Sequence, residues 1–320
     1  MKIVKYGILS TASIVPRFVN AVRETAEGEV VAIASRGLER AQAKADELHI
    51  PKAYASYKEL VEDSDVDVVY IASINSEHYS NCLLALNAGK HVVCEKPLTL
   101  TSAQTKHLFT LAKEKNCFMF EAQKVVFLPT INQIKQRLNQ GDLGRVHMLD
   151  LTSSCAATYN NWLGSLEAGG GCLYGNASYS LHLIQHLFDC KIEDYSGLSV
   201  LGEQGADVQT VINLKLPNDI LVVSKISTRV NAINKAFIYA ERGYIEIPDY
   251  WKARKATIHF HTGKVEEIEF PCQHELVYEV QHVHECLAKG LLESPVMNQE
   301  MSVATLDLME NIQNTVVLKK

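Results

Sequence analysis

Short apolar runs alternate with amphipathic segments from the start of the chain to about Glu121. The apolar runs predict strands at Ile3–Leu9, Val30–Ser35, Val66–Ile71, His91–Cys94 and Cys117–Glu121. Apolar positions at helical spacing predict helices at Ile14–Glu24, Leu38–Leu48, Tyr57–Asp63, Glu77–Asn87 and Ala103–Glu114. Wholly apolar strands separated by helices are typical of a parallel sheet that is covered on both faces. The pattern therefore predicts an α/β domain with a doubly wound parallel sheet over residues 1–122, and a ligand site at the carboxyl ends of its strands.

The pattern changes after about Gln123 and becomes rich in strands. It predicts a helix at Pro129–Asn139, a strand at Arg145–Ser154 and an apolar helix from the triglycine 169–171 to about Phe188. Further strands are predicted at Tyr195–Val200, Val208–Leu216, Ile220–Ile226, Ala236–Ala240, Ala256–His261 and Val265–Phe270, with a hairpin turn at Gly263-Lys264. Helices at His274–Ala288 and Ser302–Val317 complete the pattern. This organisation predicts an α+β domain over residues 123–320 with a large, mostly antiparallel open sheet.

Composition narrows the class of protein. Over 320 residues, 47% are apolar and 21% are charged, a balance that excludes intrinsic disorder. The net charge of -6 without any basic block argues against nucleic acid as a partner. No apolar run reaches the roughly 20 residues that a bilayer span needs, and the first residues lack a signal-peptide pattern, so we expect a cytoplasmic protein with no membrane partner.

The histidines and cysteines give no metal-binding pattern. His259 and His261 share one strand face, but the sequence places no third ligand near them, so no metal is predicted. The eight cysteines lie far apart without any Cys-x-x-Cys, and we expect them to be reduced, buried side chains.

The first strand leads into a turn where a dinucleotide pyrophosphate would bind, Ser10-Thr11-Ala12-Ser13-Ile14. Free amide groups and the positive end of the next helix would face the phosphates there. A Gly-x-Gly-x-x-Gly fingerprint laid on Ser10, Ala12 and Val15 finds no glycine, although Ser10 and Ala12 are small enough for close backbone approach. An ordinary strand-to-helix turn remains the alternative.

The end of the second strand indicates which dinucleotide is bound. NAD-binding folds usually place an acid there for the ribose hydroxyls, whereas this chain has Ser35 and Arg36, with Arg40 one helical turn further on. A guanidinium binds a phosphate in a forked geometry, while an acid would repel it. We therefore expect NADP rather than NAD, with NAD possible and a solvated arginine at a helix start as the alternative.

Several motifs together carry a family resemblance. They are Glu95-Lys96-Pro97 after the fourth predicted strand, the segment Ser73-Ile74-Asn75-Ser76-Glu77-His78 after the third, the stretches Ile50–Tyr54 and Ala88–Val92, and the triglycine. With these motifs the chain resembles the Gfo/Idh/MocA family of pyridine-nucleotide oxidoreductases. The resemblance is closest to the branch that includes dimeric dihydrodiol dehydrogenase and glucose–fructose oxidoreductase.

The resemblance implies a Rossmann domain, a second domain whose open sheet forms a homodimer or a higher homo-oligomer, and small carbohydrate-like or diol substrates. It also implies cofactor contacts by residues in both halves of the chain: Ser73, Ile74, Asn75, His78, Glu95, Lys96, Pro97 and Trp162. Pro97 is a position that often follows a cis bond in that family. Gln123 and His182 are expected either to contact substrate or to pack structurally.

The resemblance places the catalytic lysine on Lys96 and the proton donor on Tyr179. Gly175 stands where family members commonly carry Asp, a departure that leaves substrate positioning open. Carbonyl reduction needs a hydride and a proton, and a free tyrosine, with a pKa near 10, is a poor acid–base group at neutral pH. A neighbouring ammonium favours the phenolate and stabilises the developing oxyanion. We expect an NADP(H)-dependent oxidoreductase acting on a sugar, polyol or diol-like substrate; the alternative is a catalytically impaired NAD(P)-binding sensor, with Tyr179 an ordinary helix aromatic.

Overall fold

The computed structural model describes residues 3–156 and 161–319, and these divide into two compact units. One unit comprises Met1–Gln123 together with His274–Val303, and the other comprises Lys124–Gln273 together with Ala304–Lys320. The division into domains 1–122 and 123–320 stays a prediction. The structure adds that the segment His274–Val303 groups with the first unit, which the strand and helix pattern gave no means of recognising.

The first unit contains a parallel sheet. Its strands are β1 (Val4–Leu9), β2 (Gly28–Ala34), β3 (Lys52–Tyr54), β4 (Val68–Ile71), β5 (His91–Glu95) and β6 (Met119–Ala122). Their order is β3-β2-β1-β4-β5-β6, and every neighbouring pair is parallel. The order reverses direction between β1 and β4, which is the switch point where doubly wound sheets bind ligands. The predicted Rossmann-type sheet is confirmed, with one further strand, β3, that the sequence analysis missed.

The helices between these strands are α1 (Val15–Arg23), α2 (Leu38–Leu48), α3 (Tyr57–Val61), α4 (His78–Asn87) and α5 (Ser102–Glu114). Local chemistry accounts for several of their starts. Pro16 lies in the first turn of α1, where its missing N–H would be unpaired anyway. Ser56 and Glu59 form a capping box at α3, and the Thr101 hydroxyl accepts the Gln104 N–H at α5.

The second unit is built on an open sheet. After α6 (Pro129–Asn139) come β7 (Val146–Ser154), the π-helical turn Leu173–Ala177 and α7 (Ser178–Phe188), then β8 (Asp194–Leu201), β9 (Asp207–Leu216), β10 (Ile220–Ser227), β11 (Lys235–Ala240), β12 (Gly243–Pro248), β13 (Lys255–Phe260) and β14 (Val265–Glu269). The order is β14-β13-β12-β11-β7-β10-β9-β8, and among the described strands of this second sheet only the β7–β10 pair is parallel. The mostly antiparallel α+β domain is confirmed.

Two more helices follow, α8 (Val277–Ala288) and α9 (Gln299–Ile312), and the π-helical turn Gln313–Val317 comes after them. The helix α8 packs within the first unit. Glu275, just before it, pairs with Arg17 of α1, and its His284 lies so close to Gly28 that a Cβ there would be 2.8 Å from the imidazole ring. These contacts explain why His274–Val303 belongs to the first unit.

The cysteines in the described residues are all free thiols, but their burial is only partly as expected. Five are buried, whereas Cys190 and Cys272 are half-buried and Cys155 is exposed, which corrects the expectation of uniformly buried thiols. Burial raises the pKa of Cys286 to about 11, so this thiol stays protonated at neutral pH. None of the helices described is both long enough and apolar enough for a membrane span.

Candidate functional site

The first strand-to-helix turn holds a serine in a backbone conformation that favours glycine. Ser10 has a φ of 95°. Its hydroxyl donates to the Ala72 carbonyl (2.7 Å) and accepts the Ala12 N–H (3.1 Å). Ser10 therefore occupies the place of the first fingerprint glycine and links the ends of β1 and β4 at the switch point of the sheet.

The start of α1 suits an anion. No side chain caps this helix, and the N–H groups of Ser13 and Ile14 have no protein acceptor within the described chain. Such N–H groups at a helix start, reinforced by the helix dipole, bind phosphate oxygens. The turn therefore offers donors of the kind that bind a pyrophosphate, and cofactor contacts of Thr11, Ala12, Ser13 and Ile14 stay a prediction.

Two arginines lie beyond the end of β2. The Arg36 side chain is 74% exposed, with its guanidinium 3.6 Å from the Glu77 carboxylate, and the Arg40 guanidinium donates to the Thr11 hydroxyl at 3.3 Å. The Ser35 hydroxyl donates instead to the Gly37 carbonyl (2.7 Å). Because the Ser35 proton is already used, any preference for a ribose phosphate would depend mainly on the two guanidinium groups.

A buried histidine joins the turns after β4 and β5. His78 Nδ1 lies 2.9 Å from the Pro97 carbonyl, and its Nε2 lies 3.1 Å from the Ser73 carbonyl. Burial lowers the pKa of His78, although the two carbonyls and Glu95 act in the opposite direction. Asn75, also buried, begins the short 3-10 turn Asn75–Glu77 between Ile74 and α4. His78 thus holds the Lys96-Pro97 turn against the preceding one; its predicted contact with nicotinamide stays a prediction.

Two carboxylates, one from β5 and one from β6, flank the turn that carries the catalytic lysine candidate. The Lys96–Pro97 peptide bond is cis. Glu95 accepts the Tyr70 hydroxyl at 2.6 Å, and the buried Glu121 accepts the Leu98 N–H at 3.2 Å.

Glu121 is a group whose part in this turn the sequence analysis did not assign. Burial raises the pKa of Glu121 to about 7, while the nearby Lys96 charge acts to lower it. The sequence feature that could have indicated this group is an acidic residue at the end of an otherwise apolar predicted strand. Glu121 therefore fixes the backbone just after Pro97 and places a titratable carboxyl near the Lys96 ammonium.

The triglycine of the second unit is explained by two close approaches. A Cβ at Gly170 would lie 2.3 Å from the Leu163 carbonyl oxygen and 2.6 Å from that of Trp162. Gly171 has a φ of 99°, and a Cβ there would lie 2.1 Å from Asp207 Oδ1. Side chains at either position would displace the half-buried Trp162 segment or the carboxylate of Asp207. The helix that bears Tyr179 starts at this junction.

Tyr179 lies on the accessible side of that helix. Between residues 171 and 187, all described, only Gly175, Asn176 and Tyr179 are half-exposed, and every other residue is buried. A Cβ at Gly175 would meet no atom within 4 Å. The Lys124 ammonium, on a side chain only 5% exposed, lies 5.7 Å from the centroid of the Tyr179 ring. The second unit thus supplies its own cation next to this phenol, a pairing that the sequence analysis did not predict.

The two remaining candidates are fully buried. His182 Nδ1 donates to the Ser178 carbonyl at 2.8 Å, and burial lowers the pKa of His182 to about 3. His182 is therefore neutral at physiological pH. Gln123 is likewise inaccessible at the end of the first unit. Their contact with substrate stays a prediction.

Two protein-family models match this chain. The model of an oxidoreductase family with an NAD-binding Rossmann fold, Gfo/Idh/MocA, matches residues 4–123, and the Gfo/Idh/MocA C-terminal domain matches residues 131–246. The chain belongs to the Gfo/Idh/MocA family. Its two matched segments fall in the two halves that differ in strand and helix pattern.

This Gfo/Idh/MocA protein is similar over its length to enzymes named trans-1,2-dihydrobenzene-1,2-diol dehydrogenase. It is 32% identical to that of Xenopus laevis over 319 residues, which cover 95% of this chain and 96% of the relative. It is 30% identical to that of Mus musculus over 330 residues, with coverage of 98% and 96%. The protein is an NAD(P)-dependent oxidoreductase.

Solved structures share the fold of this Gfo/Idh/MocA protein at lower identity. An aldose-aldose oxidoreductase from Caulobacter crescentus, complexed with glycerol, has a TM-score of 0.87 at 20% identity, with coverage of 97% and 96% of the two chains. A 3-ketoreductase from Actinomadura kijaniata with NADP has a TM-score of 0.87 at 20% identity, with coverage of 98% and 97%. A levoglucosan dehydrogenase with NADH has a TM-score of 0.87 at 17% identity, with coverage of 100% and 98%. Because these neighbours carry NADP in one case and NADH in another, they leave the cofactor preference open.

Proposed function

We propose that this protein is an NADP(H)-dependent oxidoreductase acting on the hydroxyl or carbonyl group of a sugar, polyol or diol-like substrate. The observation that carries the proposal is that both groups required for the proton and the oxyanion are retained. Lys96 ends β5 of the nucleotide-binding sheet, and Tyr179 lies on the half-exposed side of the helix after the triglycine. The similarity to diol dehydrogenases supports a diol as the substrate, and the shared fold with an aldose-aldose oxidoreductase supports a sugar. Both substrates would undergo the same type of reaction.

In this proposal each side chain has one task. The nicotinamide, when bound, supplies or accepts the hydride. The Tyr179 hydroxyl gives its proton to the forming alkoxide, or takes it back in the oxidative direction. The Lys96 ammonium stabilises the negative charge on that oxygen. Glu121 and His78 hold the Lys96-Pro97 turn in place through the Leu98 N–H and the Pro97 carbonyl.

The proposal is tested by mixing the purified protein with NADPH and a panel of aldoses, ketoses and dicarbonyls, and with NADP and cyclic vicinal diols. The absorbance of the reduced nicotinamide reports turnover. Reduction or oxidation of at least one member is expected. Tight NADPH binding with no turnover across the panel would favour the second candidate below.

The cofactor preference gives a specific prediction. Arg36→Ala is expected to weaken NADPH binding by roughly ten- to a hundredfold, because a charge-assisted hydrogen bond contributes ~1.5–3 kcal/mol. NADH binding is expected to change little, since NADH has no phosphate on the adenosine ribose. Fluorescence titrations with both nucleotides measure this, with Arg145→Ala, an exposed arginine of the second unit, as the control. An Arg36→Ala protein that binds both nucleotides like the parent would contradict the assignment.

We also propose a homodimer through the open sheet of the second unit. Tyr244, Tyr239, Met148 and Leu221 lie in direct register across four strands and therefore on one face. Leu221 is 56% exposed, and Leu198 on the edge strand β8 is 69% exposed. Contiguous apolar surface on a sheet face is typical of a protein–protein interface. The family resemblance supports a second copy of this chain as the occupant.

Leu221→Asp is expected to convert the protein to a monomer, because it places a charge in the middle of that face without altering the core. Sedimentation velocity measures this, and the parent is expected to sediment at twice the mass of one chain. Leu291→Asp, at an exposed leucine of the first unit, is the matched control and is expected to leave the dimer intact. A parent protein that is monomeric at micromolar concentration would refute the dimer.

Gly175 motivates a second candidate function, a nucleotide-binding sensor without turnover. The open space at this position would accept an acid, yet none is present. In that case NADPH binding would change the association with a partner protein, and Lys96→Ala would leave this effect intact. Retention of both Lys96 and Tyr179 favours the enzyme.

A further inference from the structure

Asp207 places a buried carboxylate at the start of the helix that carries Tyr179. The residue begins β9 and is only 2% exposed. The Leu173 N–H lies 3.0 Å from its Oδ2 and 3.3 Å from its Oδ1, and the Thr210 hydroxyl also donates to Oδ2. The Cys172 N–H is a further donor. One side chain on the sheet therefore accepts hydrogen bonds from the first turn of the helix.

The chain around Asp207 is shaped to admit it. A Cβ at Gly171 would lie 2.1 Å from Asp207 Oδ1 and 3.1 Å from the Asp207 nitrogen. The backbone of Gly171, with its φ of 99°, also lies in the region that side chains disfavour. The third glycine of the triglycine is thus the residue that lets the carboxylate reach the helix.

There is a physical reason for the acceptor at this helix start to be an acidic side chain. The first N–H groups of a helix have no partner within the helix, and the helix dipole adds positive potential there. No side chain from the start of this helix caps it. The acceptor comes instead from residue 207, which lies 34 positions away in sequence from Leu173. A carboxylate accepts at both oxygens, whereas an amide would turn one NH2 group toward these donors.

We infer that Asp207 is the positioning residue for Tyr179. Helical structure continues from Cys172 through the π-helical turn Leu173–Ala177 into α7. Tyr179 therefore lies on the same continuous helical segment whose first turn is hydrogen-bonded to Asp207. Tyr179 is six positions after Leu173, about 9 Å along the helix at ~1.5 Å per residue. Displacement of the helix start therefore displaces the phenol. The inference rests on the proposed function, in which the Tyr179 hydroxyl exchanges the proton.

The test compares the parent protein with Asp207→Asn. The variant keeps the size of the side chain and one acceptor oxygen, so it removes the two-oxygen hold on the Leu173 N–H with little change in volume. The expected result is a kcat at least tenfold lower with the best substrate of the panel, since small misplacements of a reacting group cost up to ~a hundredfold. KM and NADPH affinity are expected to stay within about twofold of the parent values, because the change affects one step of the reaction.

Two further readouts separate positioning from general stability. The solvent deuterium isotope effect on kcat is expected to rise in Asp207→Asn, because proton transfer from a displaced phenol becomes slower. Backbone hydrogen exchange is expected to speed up in residues 172–179 and not in the sheet. Asp189→Asn, at the opposite end of the same helix, is the matched control and is expected to behave like the parent.

The outcomes are distinguishable. A parent protein that turns over no substrate contradicts the proposed function, while unchanged hydrogen exchange over residues 172–179 in Asp207→Asn overturns the hold on the helix start independently of activity. An active parent with an equally active, folded Asp207→Asn overturns the positioning of Tyr179. If Asp207→Asn does not fold, Thr210→Val, which removes one donor to the carboxylate, is expected to lower kcat about threefold. Parent-like kcat in Thr210→Val would then overturn the inference.

Discussion

The Lys96→Ala variant is expected to lower kcat about a thousandfold while the protein stays folded and still binds NADPH. Removing one preorganised group that stabilises a developing oxyanion costs ~10²–10³ in rate. Lys96 is a half-buried residue in the turn at the end of β5, so truncation leaves no cavity in the core. Steady-state kinetics and a nucleotide titration on the same preparation measure the two effects.

A matched control for this variant is available in the same unit. Lys58→Ala removes another lysine, one that is exposed and pairs with Glu62 one helical turn away, and parent-like activity is expected. Lys96→Arg retains the charge but not the shape of the ammonium, so only partial recovery of kcat is expected. A Lys96→Ala protein within about threefold of the parent kcat would remove Lys96 from the mechanism.

Tyr179→Phe is expected to lower kcat by about 10²- to 10⁴-fold, the range for loss of a positioned proton donor. Only one oxygen is removed, so the ring, its contact with the Lys124 ammonium and the fold are retained. KM is expected to change much less than kcat, because the hydroxyl acts mainly in the transition state. The measurement is kcat and KM of the parent and the variant over a range of pH.

Tyr195→Phe makes the same chemical change elsewhere in the second unit, where the hydroxyl lies 3.1 Å from that of Thr315, and is expected to leave kcat unchanged. The double variant Lys96→Ala with Tyr179→Phe should lose far less than the product of the two single losses, since the two groups serve one step. Full activity of Tyr179→Phe would show that the proton comes from another group. Strict additivity would show that the two side chains act independently.

Regular elements with strong apolar patterns were predictable from the sequence. Leu38–Leu48 and Pro129–Asn139 are helices with the bounds that their periodicity predicts. The missed strands have identifiable reasons. Strand β3 has only three half-buried residues at the sheet edge, and β12 begins at Gly243 and ends at Pro248, two residues that usually interrupt strands.

The residues of the candidate site could be predicted only where a local sequence motif marks them. Motif positions such as Lys96 and Tyr179 were found through a family resemblance, whereas the neighbours that hold them come from distant parts of the chain. Asp207 contacts a helix start 34 positions earlier, and His78 reaches the Pro97 carbonyl 19 positions later. Periodicity carries no information about such contacts, because they are decided by tertiary packing. Likewise, the fingerprint comparison placed Ser10 at a glycine position, but it did not indicate that a serine would adopt a φ of 95° there.

The most direct test of the central claim follows one hydrogen atom. The protein is incubated with a carbonyl substrate from the panel and NADPH that carries deuterium at the transferable position of the nicotinamide, and the product is examined by mass spectrometry and NMR. The enzyme that we propose will place one deuterium on the new carbinol carbon, and Lys96→Ala will do so about a thousandfold more slowly. Bound, unconsumed NADPH and a product pool without deuterium, for every carbonyl compound tried, would contradict the account.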